Sequence, residues 1–426
     1  MTSPEQSPPL KSNHYDIIIV GGGLVGATLA LLLAKSQPAL APLRIALLEA
    51  GAGYKPADLN QFDPRVVALT RQSQQLLQSV NAWPGIAAMR ACDYTDMRVW
   101  DGDGTGNIHF NCYEVGEPDL GHIVENGVAL ANLYQQLAER SNITLFCQAR
   151  VSQLAGSEQQ REVILESGEV LSASLVVAAD GAQSKLRELA AISVREWSYG
   201  HKAIVTTVTT ERPHQFTAWQ RFLSSGPLAF LPLQVAARAE AKEYHCSIVW
   251  SLEERQADHM MALDDETFKA ALGRAFEYRL GRIESLDRRF CFPLWARHAS
   301  DYYRPGLVLV GDAAHSIHPL AGQGVNLGFL DAKTLAEELL RARERGITLA
   351  DESILRRYQR RRKGHNLMTL AVMEGFKRLF GDDRLPLRLL RNIGLSRVDQ
   401  MAWLKNAIAR QLLNADAAQS DKIYES

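Results

Sequence analysis

A buried apolar run closed by glycines near the start, β-branched and aromatic runs in the middle, and helical periodicity to the end predict an α/β chain. The expected parts are a Rossmann-like unit, an antiparallel-sheet unit and C-terminal helices. Residues 15–20 form the first apolar run, which reads as a buried parallel strand. Glycines follow, then a helix to about Lys35 whose 27–34 stretch is wholly buried in character, then a second strand at 44–48. This order is a βαβ opening. Between Trp197 and Ala299 the runs 203–210, 215–223 and 244–252 have the composition and spacing of an antiparallel sheet. After Arg304 an apolar strand at 307–310 returns to the α/β style, and from about Leu327 the pattern is helical. The expected boundaries are a disordered tail at 1–13; an α/β unit from 14–90, 122–196 and 300–345; a sheet unit from 91–121 and 197–299; and a helical region at 346–426.

The 426 residues, 46% hydrophobic and 22% charged, are enough to bury two substantial cores. A net charge of -1 neither recruits nor repels polyanions, which sets nucleic acid aside as a partner. The five cysteines are scattered and lack a C-x-x-C pair, so neither a disulfide framework nor a zinc site is expected and a reducing cytoplasm fits. Residues 1–13 lack the basic-then-apolar order of a secretory signal. The 27–34 run is too short to cross a bilayer, so membrane contact is expected to be peripheral, at the inner face.

The first motif is Gly21-Gly22-Gly23-Leu24-Val25-Gly26, between a predicted strand and a predicted helix. In such a turn Gly21 permits the sharp bend, Gly23 lets backbone approach a pyrophosphate, and Gly26 allows helix to pack closely on strand. Glu49 ends the second strand, where a carboxylate can accept the hydroxyls of an adenosine ribose and repel a ribose phosphate. Strand, turn, helix and terminal acid in this order point to a dinucleotide, with FAD and NAD both open at this stage.

The second motif is Gly311-Asp312-Ala313-Ala314-His315, after the 307–310 strand, with Pro319, Gly322, Gln323, Gly324, Val325 and Asn326 downstream. An acid at a strand end can hold a polyol, and glycine-rich backbone opening a helix offers N–H donors and positive potential to an anionic ring. Taken alone, Gly311-Asp312 also reads as a turn with a capping aspartate.

A third element, Asp180-Gly181-Ala182-Gln183-Ser184-Lys185-Leu186-Arg187, has D-G-x-x-S-x-x-R spacing. By chemistry alone it is a strand end, a turn and a helix-surface arginine. Together the three motifs resemble the flavin-dependent aromatic hydroxylases related to para-hydroxybenzoate hydroxylase. The tract 311–328 followed by Asp331, the segment Asp63-Pro64-Arg65-Val66-Val67-Ala68-Leu69, and Val124-Glu125-Asn126 ahead of a helix resemble the ubiquinone-biosynthesis branch, over residues 15–412. The resemblance implies an FAD-binding Rossmann-like domain, a discontinuous antiparallel-sheet substrate domain, and NAD(P)H as transient co-substrate. It further implies that Asp180 serves flavin binding and the approach of NAD(P)H, and that Arg65 and Asn126 lie along the FAD phosphate and ribityl chain.

His315 and His318 have a spacing that can bring two imidazoles together, but no acid or thiol completes a metal set, and His315 reads as a loop histidine. No nucleophile elbow is present, and no catalytic acid or base is assigned, because a flavin carries its own reactive chemistry. Residues 341–410 hold 17 Lys and Arg against 7 Asp and Glu. With interleaved apolar residues such as Leu379, Phe380 and Leu385, that surface reads either as a rest for anionic lipid or as solvated helix faces, with Arg360-Arg361-Arg362-Lys363 on it.

The expected activity is hydroxylation of a polyprenylated phenol with NAD(P)H and O2, in ubiquinone biosynthesis, with a biosynthetic protein complex and the membrane surface as partners. Two other readings stay open: an FAD-dependent prenyl reductase or dehydrogenase, and a flavin-holding subunit without activity of its own.

Overall fold

The protein, seen in a computed structural model, is described at residues 13–35, 37, 40–53, 61–102, 104, 106–235, 244–316 and 323–381. The tail expected at 1–13 lies outside these residues but for Asn13, as do Pro319, Gly322, His318 and everything after Gly381. An eight-stranded sheet forms the nucleotide-binding side. Its parallel strands run in the spatial order Leu307–Leu309, Val170–Ala178, His14–Val20, Ile45–Leu48, Ile143–Phe146. Ile17, Ile18 and Ile19 are fully buried, as a strand covered on both faces demands. The helix Leu24–Leu33 stops two residues short of the expected Lys35. It is apolar all round because it lies beneath two others, Asn126–Ala138 and Gln323–Glu344.

The middle of the chain forms a nine-stranded sheet whose long strand Val194–Thr210 pairs with both Tyr244–Glu253 and Phe290–Ala299. Strands Asp96–Asp101 and Asn107–Asn111 extend it through Thr217–Leu223, so early and middle segments share one sheet. Ala91–Tyr94 instead joins Gly121–Glu125 and Val66–Leu69 in a separate three-stranded sheet. Two helices, Glu254–Ala262 and Asp265–Ala275, interrupt the region that the sequence texture presents as strands only. Their Met260, Phe268 and Leu272 cover Ile204, Val208, Phe230 and Ile248 on one face of the sheet. The opposite face, with Ala203 and Leu294, meets Leu327 and Leu330 of the helix Gln323–Glu344, and Leu233 meets Ala68 and Ile123. The sheet therefore packs against the nucleotide-binding side.

The helix Glu352–Gly381 closes the described chain, and in its basic run Arg356, Arg360 and Arg361 stay exposed while Arg362 departs from a solvated face. Arg362 is 2% exposed and bonded to Asp331, while Arg357 and Arg361 pair with Glu338. Acids on the preceding helix neutralise these cations, a pairing between helices that local charge counting does not register.

Candidate active site

Four of the sequence-predicted residues stand at the carboxyl ends of four adjacent parallel strands. Val20 is in register with Leu48 and Ala178, and Ala178 with Leu309, so Gly21, Glu49, Asp180 and Asp312 follow strands that end at one level. Gly21 donates its N–H to Leu48 (2.8 Å), and Val310 to Ala178 (3.0 Å), which ties the strand ends together. Ligands of open α/β sheets bind at this edge, beside the strand where the connections change direction.

The three glycines of the first turn have separate jobs. Gly21 has φ +110°, and a Cβ there would lie 2.2 Å from the Ala179 carbonyl oxygen. A Cβ on Gly26 would lie 2.0 Å from the Gly21 carbonyl oxygen, so Gly26 lets the helix seat on the strand. Gly23 has ordinary extended backbone, φ -67° and ψ -178°, and a Cβ there would meet nothing within 4 Å. Gly23 is thus the one that leaves room, at the N-cap of a helix whose first N–H groups favour an anion. Glu49 accepts N–H bonds from Gly22 (2.9 Å) and Gly51 (2.7 Å), which fix its carboxylate while each oxygen keeps a second lone pair. Tyr134, which sequence reasoning missed, donates to the Gly22 carbonyl (3.0 Å). Burial, then Glu49 and Cys147, push its phenol well above the usual value. No motif marks it, because the helix Asn126–Ala138 reaches the turn only in the fold.

At the second motif the chain makes one turn of helix, Gly311–Ala313, with φ +58° at Gly311. Gly311, Ala313 and Ala314 are buried, and Asp312 alone among them is exposed. Surrounding protein still desolvates it in part, which raises its carboxyl above the usual value against the opposing pull of His315. Arg187, 8% exposed, donates to the carbonyls of Ala313 and Ala182 (2.9 Å each), so the D-G-x-x-S-x-x-R arginine is a buried strut and not a surface charge. Asp180 accepts from Leu186 N–H (3.1 Å) with one oxygen, and its other oxygen is buried without a partner.

Arg65 and Asn126 are brought side by side by antiparallel pairing of Val66 with Glu125, and Asn126 N–H donates to the Arg65 carbonyl (2.9 Å). Asp63 braces this corner by accepting from Gly127 N–H (2.9 Å). The Asn126 side-chain oxygen is buried and unpartnered, and Arg65 is exposed. Two buried acceptors without donors, on Asn126 and Asp180, fit a hydroxyl-rich ligand. Gly324 faces open space where a Cβ would sit, and Val325 packs on the main core. Asn326 is fully engaged with protein: it accepts from Thr70 N–H (3.1 Å) and Ser73 Oγ (2.6 Å) and donates to the Ala68 carbonyl (2.8 Å). Its side chain is a clamp between the helix Gln323–Glu344 and the strand Val66–Leu69, leaving only its backbone for a ligand.

Residues 129–370 match the family described as FAD binding domain. The chain is 35% identical over 401 residues to the 3-demethoxyubiquinol 3-hydroxylase of Escherichia coli (strain K12), covering 93% of this chain and 98% of that one. It is 34% identical to the ubiquinone hydroxylase UbiL of Rhodospirillum rubrum (93% and 89% covered) and 33% identical to the human ubiquinone biosynthesis monooxygenase COQ6, mitochondrial (92% and 91%). In fold it is similar to PqsL, a probable FAD-dependent monooxygenase of Pseudomonas aeruginosa, with TM-score 0.73 and 21% identity over 90% of this chain and 100% of that one. The p-nitrophenol 4-monooxygenase PnpA of Pseudomonas putida gives TM-score 0.73 at 18% identity, covering 94% and 98%. The strand-end site, the unfilled space at Gly23 and these relationships agree, and the chain belongs to the FAD-binding monooxygenases, in the group of the ubiquinone-biosynthesis hydroxylases.

Proposed function

We propose that this monooxygenase hydroxylates the ring of a polyprenylated phenol on the way to ubiquinone, with NAD(P)H, typical of the family, as electron donor. The observation that carries the reading is the alignment of Gly21, Glu49, Asp180 and Asp312 at one edge of the parallel sheet, with the antiparallel sheet packed alongside. Gly23 and the helix behind it take the pyrophosphate, Glu49 the adenosine ribose, and Asp312 the ribityl chain, with Arg65, Asn126 and Asp180 supplying further polar contacts. Gly324, Val325 and Asn326 present backbone to the ring, and Pro319 and Gly322 belong to the same proposal. FAD, when bound there, carries the electrons and activates oxygen for transfer to an electron-rich ring.

The chain's own part is to orient the substrate and keep water away. A cavity of about 730 Å³ opens between the two sides, with Phe62, Pro64 and Arg90 facing Thr207, His245 and Phe290. We assign it to the substrate's route. The motifs resemble those of 2-octaprenylphenol hydroxylase, and the relatives' names place them in ubiquinone metabolism, which supports a prenylated ring. Such a substrate resides in membrane, so a peripheral position at the inner face, beside partner enzymes, completes the proposal. Among the described residues no helix is long and apolar enough to cross a membrane.

The test is to give purified FAD-loaded protein NAD(P)H, labelled O2 and prenylphenols of graded tail length. The expected product carries one labelled oxygen on the ring. A reduced prenyl chain without label supports a reductase instead, and the absence of substrate-stimulated NAD(P)H oxidation supports a flavin-holding subunit.

A further inference from the structure

Asp331 sits in the middle of the helix Gln323–Glu344, fully buried, and its carboxylate accepts four donors from two other parts of the chain. One oxygen takes Gly311 N–H (3.1 Å) and His315 Nε2 (2.6 Å). The other takes Arg362 Nε (2.7 Å) and Asn366 Nδ2 (3.2 Å), both from the helix Glu352–Gly381. Arg362 also donates to the Asn366 side-chain oxygen (2.9 Å), and Asn366 donates to Tyr302 Oη (3.3 Å). Burial raises the Asp331 carboxyl, but His315 and then Arg362 outweigh it and hold the group well below the usual carboxylate range, so it is an anion. A buried anion stripped of its cation does not stay in place: it protonates or reaches for other donors.

The two ends of the Gly311–Ala313 turn are therefore gripped from opposite sides. Asp331 holds the Gly311 N–H, Arg187 holds the Ala313 carbonyl, and Asp312 is the exposed residue between them. We propose that Asp331, secured by Arg362 and Asn366, is a positioning residue that aims the Asp312 carboxylate at the flavin, so that the helix Glu352–Gly381 is a working part of the cofactor site. The inference rests on the assignment of Asp312 to the ribityl chain. Arg362 and Asn366 are 2% and 1% exposed, and each reaches the turn through its bond to Asp331.

A double-mutant cycle read by FAD titration of the apoprotein tests this, with circular dichroism to establish that each variant is folded. Asp312→Ala is expected to weaken FAD binding by about 10- to 100-fold, the worth of a hydrogen bond to a charged group. Arg362→Met alone is expected to weaken it by a comparable factor, with Arg362→Lys recovering part of the loss. In the Asp312→Ala background Arg362→Met is expected to add little, because there is no longer a carboxylate to aim. Asn366→Ala, a milder change, replaces Arg362→Met in the cycle if that variant does not fold. Losses that multiply in the double variant, or folded Arg362 and Asn366 variants with wild-type FAD affinity, overturn the inference and leave the Asp312 assignment standing. Unchanged affinity in Asp312→Ala alone overturns that assignment and the inference with it.

Discussion

Placing the same methyl group at Gly23 and at Gly26, three residues apart, should produce opposite failures. At Gly26 the added Cβ would sit 2.0 Å from the Gly21 carbonyl oxygen and 3.2 Å from Ala179 Cβ. Contact with backbone oxygen at that range forces the helix start away from the strand by about 1 Å. Such overpacking costs typically about 1–3 kcal/mol, and the obstacle here is backbone, which places it at the upper end. Replacing glycine inside a helix returns about 1 kcal/mol of propensity. A net loss of about 2 kcal/mol is left, or a fall in melting temperature of roughly 2–5 °C for the apoprotein. At Gly23 the methyl meets nothing within 4 Å, and the extended backbone there suits any residue. The apoprotein should lose only about 0.5–1 kcal/mol, the difference between glycine and alanine at an N-cap. The methyl instead projects into the proposed pyrophosphate path, where about 1–3 kcal/mol of overpacking lowers FAD affinity by roughly 5- to 150-fold. The assays are thermal melting of both apoproteins by circular dichroism and FAD titration by fluorescence quenching. Wild-type FAD affinity in Gly23→Ala, or an apoprotein melting loss equal to that of Gly26→Ala, would refute the division of labour between the two glycines.

Two other perturbations follow from charge. Because burial raises the Asp312 carboxyl, its ionised form opposes apoprotein stability at neutral pH. Asp312→Asn should therefore raise the apoprotein melting temperature at pH 7, and the gain should shrink as pH falls through the raised value and disappear below the ordinary value of 3.8; a gain that persists below it contradicts the sign. In the basic C-terminal segment, Arg384, Arg388 and Arg391 lie outside the described residues, and each cation near an anionic surface is worth up to about 1 kcal/mol. Reversing all three charges should reduce sedimentation of the purified protein with anionic vesicles at low salt, and added salt should do the same to wild type. Equal sedimentation of wild type and variant with anionic and neutral vesicles removes the membrane contact.

By itself the sequence determined the elements whose signals are local. The apolar run ending in Gly21, the acid at Glu49 and the glycine at Gly26 announce a strand, a tight turn and a seated helix, since backbone sterics and phosphate approach act over a few residues. It also located Asp180 and Asp312, because an acid after an apolar strand lands at a sheet edge wherever that strand pairs. Tertiary structure alone decided what those residues touch. Arg187 and Arg362 look alike in sequence to any surface arginine, yet each is buried on partners more than thirty residues or a hundred residues away: Arg187 on Ala313 and Arg362 on Asp331. Asn326, in a motif that suggests a ligand, has its side chain consumed by Ala68, Thr70 and Ser73 from a distant strand and helix. In the basic run, Arg357 and Arg361 pair with Glu337 and Glu338 on a neighbouring helix, and Arg356 with Glu352 one turn earlier. Periodicity and motif spacing report on neighbours within a turn or a strand, whereas desolvation and ion pairing depend on which distant segments the fold brings into contact.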